Sequence, residues 1–219
     1  MYAALRKCAL FDGIDLNEAD TVLSRLSGRT RRFNKGEFIF MAGASQPQIG
    51  VLLSGQAQIL RENHIGDSMI VRALQEGELF GETYACMGIE TIPVSVCATA
   101  PCEVLFLSTQ AILGTCISNC AFHHRLIANL LRVLAQKNML LNRKMSYITH
   151  KTIRERLLSY FYDCMEQSGS ERFTVPFNRR ELADYLCTDR SALSRELSAM
   201  QREGIIEYKG NLFRYKERN

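Results

Sequence analysis

No stretch of the 219 residues approaches the roughly 18 uncharged apolar positions of a membrane span. Residues 1–16, MYAALRKCALFDGIDL, lack the apolar centre and cleavage site of a secretory leader. A cytoplasmic location without membrane contact is therefore expected. Glycine is held to 14 residues, which excludes a collagen-like chain, and 47% hydrophobic content excludes a disordered one. Cysteine is too sparse, at eight residues, for a disulfide scaffold, and no C-x-x-C occurs. Core packing, metal binding and redox sensing remain open for the thiols. Net charge is missing from the first two thirds. Residues 1–142 hold 12 cations and 12 acids, whereas residues 143–219 hold 15 and 11. The whole excess of +4 lies at one end, as when a polyanion-binding part is joined to a neutral one.

The neutral part reads as β from residue 30 to 107. Phe38–Phe40, Ile49–Leu53, Ala57–Leu60 and Val104–Leu107 are short apolar runs separated by glycines, the pattern of a sandwich, roll or barrel. Ser54-Gly55 and Ile65-Gly66 are expected to be hairpin turns. From Ser108 to about Tyr147 there is no proline and one glycine, so a long helix is expected over 118–147. Leu126, Leu130, Val133, Lys137 and Leu140 recur at alternating spacings of four and three. That is close to a coiled-coil seam and predicts a homodimer interface. Covering the β domain is the alternative use of such a helix.

In the basic part, Thr152–Glu155 and Asn178–Glu181 fit capping boxes, and Gly204 fits a helix stop. Strand, helix, short turn, helix and hairpin follow one another, the order of a helix-turn-helix with a wing. On the helix that opens after Asp189, Leu193, Leu197 and Met200 form one apolar stripe. Arg190, Ser191, Ser194, Arg195 and Ser198 fall together on another arc that contains no carboxylate. Short serines let a backbone approach a groove, and arginines reach guanine edges bidentately, so double-stranded DNA is the expected partner.

Residues 173–215, and Asn178 to Arg195 above all, resemble the winged helix-turn-helix of the Crp/Fnr family of bacterial transcription regulators. Phe80-Gly81-Glu82 within the β region resembles the same family's cyclic-nucleotide-binding roll. The resemblance implies an α+β fold: a β-roll sensor over residues 1–117, a dimerisation helix over 118–147, and a winged helix-turn-helix over 148–219. It implies base contacts from Arg190 and Arg195 and backbone contacts from Arg179 and Lys209. It implies a homodimer on a near-palindromic operator, acting with RNA polymerase. Ser191 stands where a glutamate that reads cytosine is known in the family. Cys187 fills a turn position that is often glycine.

The effector pattern departs from the family. Beside Gly81 and Glu82, the Arg-Ser or Arg-Thr pair that would bind a phosphate is replaced by Ile92-Pro93, which offers an anion no charge. Cyclic AMP is therefore not expected as the effector, and the cofactor is unknown. Cys116, Cys120, His123 and His124 would share one helix face and form a weak metal or redox candidate. Two other classes are weighed. A ligand-independent architectural DNA-binding protein would show little sequence preference. A cupin-type enzyme would need several histidines in its strands, and only His64 is there.

Overall fold

Strand β3 (Ile49–Ser54) is buried at five successive positions, unlike a strand with one wet face. Its sheet is covered on both sides. Ile49, Val51 and Leu53 join one core and Leu52 the other, at the period of two that a strand imposes. The computed structural model describes residues 2–15, 19–45, 48–62, 68–114 and 121–216. Two compact units divide between Ala135 and Gln136.

The first unit holds two four-stranded antiparallel sheets. One runs in the order β1 (Arg29–Phe33), β8 (Cys102–Leu107), β3, β6 (Leu79–Phe80). The other runs β2 (Phe38–Phe40), β7 (Ser95–Ala98), β4 (Ala57–Glu62), β5 (Ser68–Leu74). An inner core is built from Phe33, Leu52, Leu74, Phe80, Val104 and Phe106. An outer core joins Val51, Leu105 and Leu107 to Leu5 of helix α1 (Tyr2–Lys7), Val22 of α2 (Ala19–Arg25) and Leu126 and Leu130 of α5 (Ala121–Ile148). A short helix, α3 (Glu82–Met87), interrupts the β order, and another, α4 (Thr109–Leu113), follows its last strand.

One expected hairpin is absent. β3 and β4 lie in different sheets, so Ser54-Gly55 turns a corner between them. Gly55 has φ +82°, and a Cβ there would sit 2.1 Å from the Pro101 carbonyl oxygen, so only glycine fits. β4 and β5 do pair as neighbours, but Ile65-Gly66 lies outside the described residues.

The second unit follows the predicted order closely. Helix α6 (Ile153–Ser168) precedes β9 (Arg172–Thr174), α7 (Arg179–Tyr185), α8 (Arg190–Arg202) and the hairpin β10 (Ile206–Lys209) with β11 (Leu212–Tyr215). Both capping boxes form, at Thr152 with Glu155 and at Asn178 with Glu181. Leu157, Phe161, Leu182, Leu193, Leu197 and Phe213 close a separate core. Cys187, between α7 and α8, takes φ +51°, a left-handed value that glycine adopts at less cost. Among the described residues no helix is long and apolar enough to cross a membrane.

Candidate nucleic-acid interface

Helix α8 is fixed at its start by Asp189, whose carboxylate accepts from the Ala192 backbone N–H at 2.9 Å. The Ser191 hydroxyl donates to the same oxygen at 2.5 Å, and these bonds, Ser191's foremost, hold the Asp189 carboxyl below its usual range. Leu193, Leu197 and Met200 are fully buried, which orients the helix. Arg190, Ser191 and Arg195 are consequently exposed, with Ser194 half-buried beside them. The Ser194 hydroxyl donates back to the Arg190 carbonyl, and that of Ser198 to the Ser194 carbonyl, both at 2.9 Å. The serines therefore present a low, backbone-satisfied surface between two long cations. No salt bridge engages Arg190 or Arg195 among the described residues. Lys209 is exposed at the end of β10.

Three arginines missing from that surface hold it in place. Arg154 donates to Glu196 at 2.5 Å and bidentately to Glu203 at 2.7 and 2.8 Å, tying the first turn of α6 to α8. Bonds to Glu203 and then Glu196 push its pKa up. Arg156 donates to the Leu186 and Cys187 carbonyls at 3.1 and 2.9 Å and so satisfies the end of α7. Arg179, expected on the DNA backbone, is half-buried against the wing. Its guanidinium lies 4.7 Å from the Tyr208 ring centroid and 5.0 Å from that of Phe213. Its Nη2 donates to the Gly210 carbonyl at 3.1 Å, and burial lowers its pKa. Arg154 and Arg156 carry no local sequence signal, because their partners lie about 30 to 50 residues ahead.

Two domain profiles match the chain: a cyclic nucleotide-binding domain over residues 30–119 and a Crp-like helix-turn-helix domain over residues 155–218. The cyclic AMP receptor protein of Thermus thermophilus is 25% identical over 197 residues, spanning 90% of this chain and 87% of that protein. The chain belongs to the Crp/Fnr family of transcription regulators. A probable transcriptional regulator, flp, of Lacticaseibacillus casei is 27% identical over 161 residues, or 74% of this chain and 66% of that protein. The crystal structure of the Thermus thermophilus catabolite activator protein is 26% identical, with a TM-score of 0.50 over 95% of this chain and 94% of that one. This Crp/Fnr member is thus a DNA-binding regulator and not an enzyme, which sets aside the cupin-type reading.

In the regulator's first unit, Gly81 (φ +77°) lets the chain pass where a Cβ would meet the Gln48 carbonyl oxygen at 2.7 Å. Glu82 follows, buried at the start of α3, and accepts from the Thr83 hydroxyl at 3.3 Å. Ile92 is buried and Pro93 exposed, so neither position offers an anion a partner. Cys116 and Cys120 lie outside the described residues. His123 is buried with Nε2 donating to the Gly114 carbonyl at 2.8 Å, and His124 is exposed. Among the described residues no three His, Cys, Asp or Glu side chains gather where they could hold a metal.

The expected seam on α5 is largely closed within the chain. Leu126 and Leu130 are buried in the outer core and Val133 is buried as well, while Lys137 is half-buried and Leu140 is 57% exposed. The β-roll thus takes the face that the sequence assigned to a second subunit. About 100° further round the helix lies another four-three series: Ile127, Leu131, Leu134, Asn138, Leu141, Met145 and Ile148. Leu131, Leu141 and Met145 there are 62%, 63% and 58% exposed.

Proposed function

We propose that this regulator binds a near-palindromic operator as a homodimer, in the cytoplasm, under a ligand other than cyclic AMP. The observation that carries the reading is the acid-free outer face of α8. Arg190 and Arg195 reach guanine O6 and N7 in the major groove, with Ser191 and Ser194 allowing the helix close approach. Lys209 meets a phosphate, and Arg179 acts on DNA only through the wing it braces. RNA polymerase is the partner through which the bound dimer alters transcription.

The second copy seats on the exposed series of α5. Apolar side chains at alternating spacings of four and three form a seam of the kind that parallel helix pairs bury. Asn138 occupies one of the inner positions, where a polar residue fixes register at some cost in stability. Cyclic AMP is disfavoured because Ile92 and Pro93 supply no charge for its phosphate. Calorimetry should detect no binding, and a micromolar dissociation constant accompanied by stronger DNA binding would overturn that part.

Selection from a random DNA library tests the whole reading. The recovered sequences should converge on inverted half-sites about 34 Å apart. Recovery without convergence, at unchanged affinity, would favour the ligand-independent architectural protein.

A further inference from the structure

The wing hairpin joins β9 in a three-stranded sheet, ordered β10, β11, β9, whose two faces are unlike. Ile206, Phe213 and Phe173 are buried on one side in the core of the second unit. Alternation sends Glu207, Lys209, Arg214 and Arg172 to the other side, and all four are exposed. The register runs straight across the strands: Glu207 lies opposite Arg214, and Arg214 opposite Arg172. Neighbouring strands are about 4.8 Å apart, so the two arginines stand side by side. Like charges directly opposite one another destabilise a sheet.

One acid stands among these cations. Glu207 is engaged at 2.6 Å by a further cation, Lys216. The bond to Lys216 comes first, and the charges of Arg214 and Arg172 add to it, in holding the Glu207 carboxyl below its usual range. Glu171 precedes Arg172 by one position, so the same alternation turns it to the opposite face. Neither arginine enters a salt bridge among the described residues. An ordinary solvated face intersperses the two signs. A sheet that holds like charges together, against its own stability, marks a functional surface. Lys209, read above as meeting a phosphate, lies on this same face two positions from Glu207. We propose that the outer face of the wing is a second DNA surface. On it, Arg172 and Arg214 hold backbone phosphates of the duplex flanking each half-site, without regard to sequence. Guanidinium forks match phosphate oxygens bidentately.

This role rests on the reading of α8 as the operator-binding helix, and it lengthens the footprint without adding base preference. Fluorescence anisotropy on the full-length protein would compare duplexes of about 22 and 42 base pairs, each centred on the sequence recovered by selection. The wild type should bind the longer duplex about tenfold more tightly, with a salt slope steeper by about one for each arginine. Arg172→Gln with Arg214→Gln should cut that advantage to about twofold or less and leave binding to the short duplex unchanged. Arg172→Glu sets opposite charges across the strands. It should remove the advantage too, while raising the melting temperature by about 1–4 °C. An affinity that falls as stability rises cannot come from unfolding. The surface is overturned if the wild type binds both duplexes alike, or if the double variant keeps the length advantage. It is overturned equally if the variants weaken both duplexes by the same factor. Failure of the wild type to bind even the short duplex would sink the reading of α8, and this role with it.

Discussion

At α8, two classes of cation should separate in one binding series. Arg190→Ala and Arg195→Ala should each cost about 1–3 kcal/mol and relax preference at one base pair. Lys209→Ala should weaken every sequence alike and lower the salt slope by about one. Uniform losses from the two arginine variants, with all base preferences kept, would refute the assignment. Arg179 makes a third class. Removing its guanidinium unstacks Tyr208 and Phe213 and frees the Gly210 carbonyl. Arg179→Lys should therefore lower both thermal stability and affinity for all sequences, because an ammonium lacks the planar fork. A lysine variant with wild-type stability and only a reduced salt slope would restore the phosphate role implied by its place in the motif. The exposure of Arg190 and Arg195 on α8 was legible because their neighbours on the helix are local. The packing of Arg179 was not, since its surroundings arrive with a hairpin about 30 residues further along the chain.

Among the elements, α5 tests the competition between folding and association. Leu130 is 2% exposed and packs on the β-roll, so Leu130→Ala should destabilise the chain by about 2–5 kcal/mol. Leu131 is 62% exposed one position along, so Leu131→Glu with Leu141→Glu should leave thermal stability at low protein concentration nearly intact and yield monomers in sedimentation. The opposite pairing of outcomes would return the interface to the Leu126 face. A period near 3.5 can be read from sequence on several faces of one helix, and burial decides which is free. The same limit applied to β3 and β4, whose apolar runs were visible while their membership of different sheets was not. β1 escaped notice because three arginines in five residues mask its alternation. The second unit was legible nearly throughout, since its caps, stops and amphipathic stripes are all local signals.

For the whole molecule, two units with separate cores predict two calorimetric transitions. Leu197→Ala should lower one and Leu52→Ala the other, and operator DNA should raise only the one that Leu197→Ala lowers. A single transition moved equally by both variants would show that the cores unfold together. Within the second unit, the Arg154 bridges make α6 and α8 one block. A stimulus transmitted through the chain ahead of α6 meets that block whole. Under the proposed function it would change how often the reading surface is presented, and not the spacing of Arg190 and Arg195. On the proposed reading, such a regulator has a volume control and no tuning dial: the stimulus would set how long an address is occupied, while the address itself would stay written in α8.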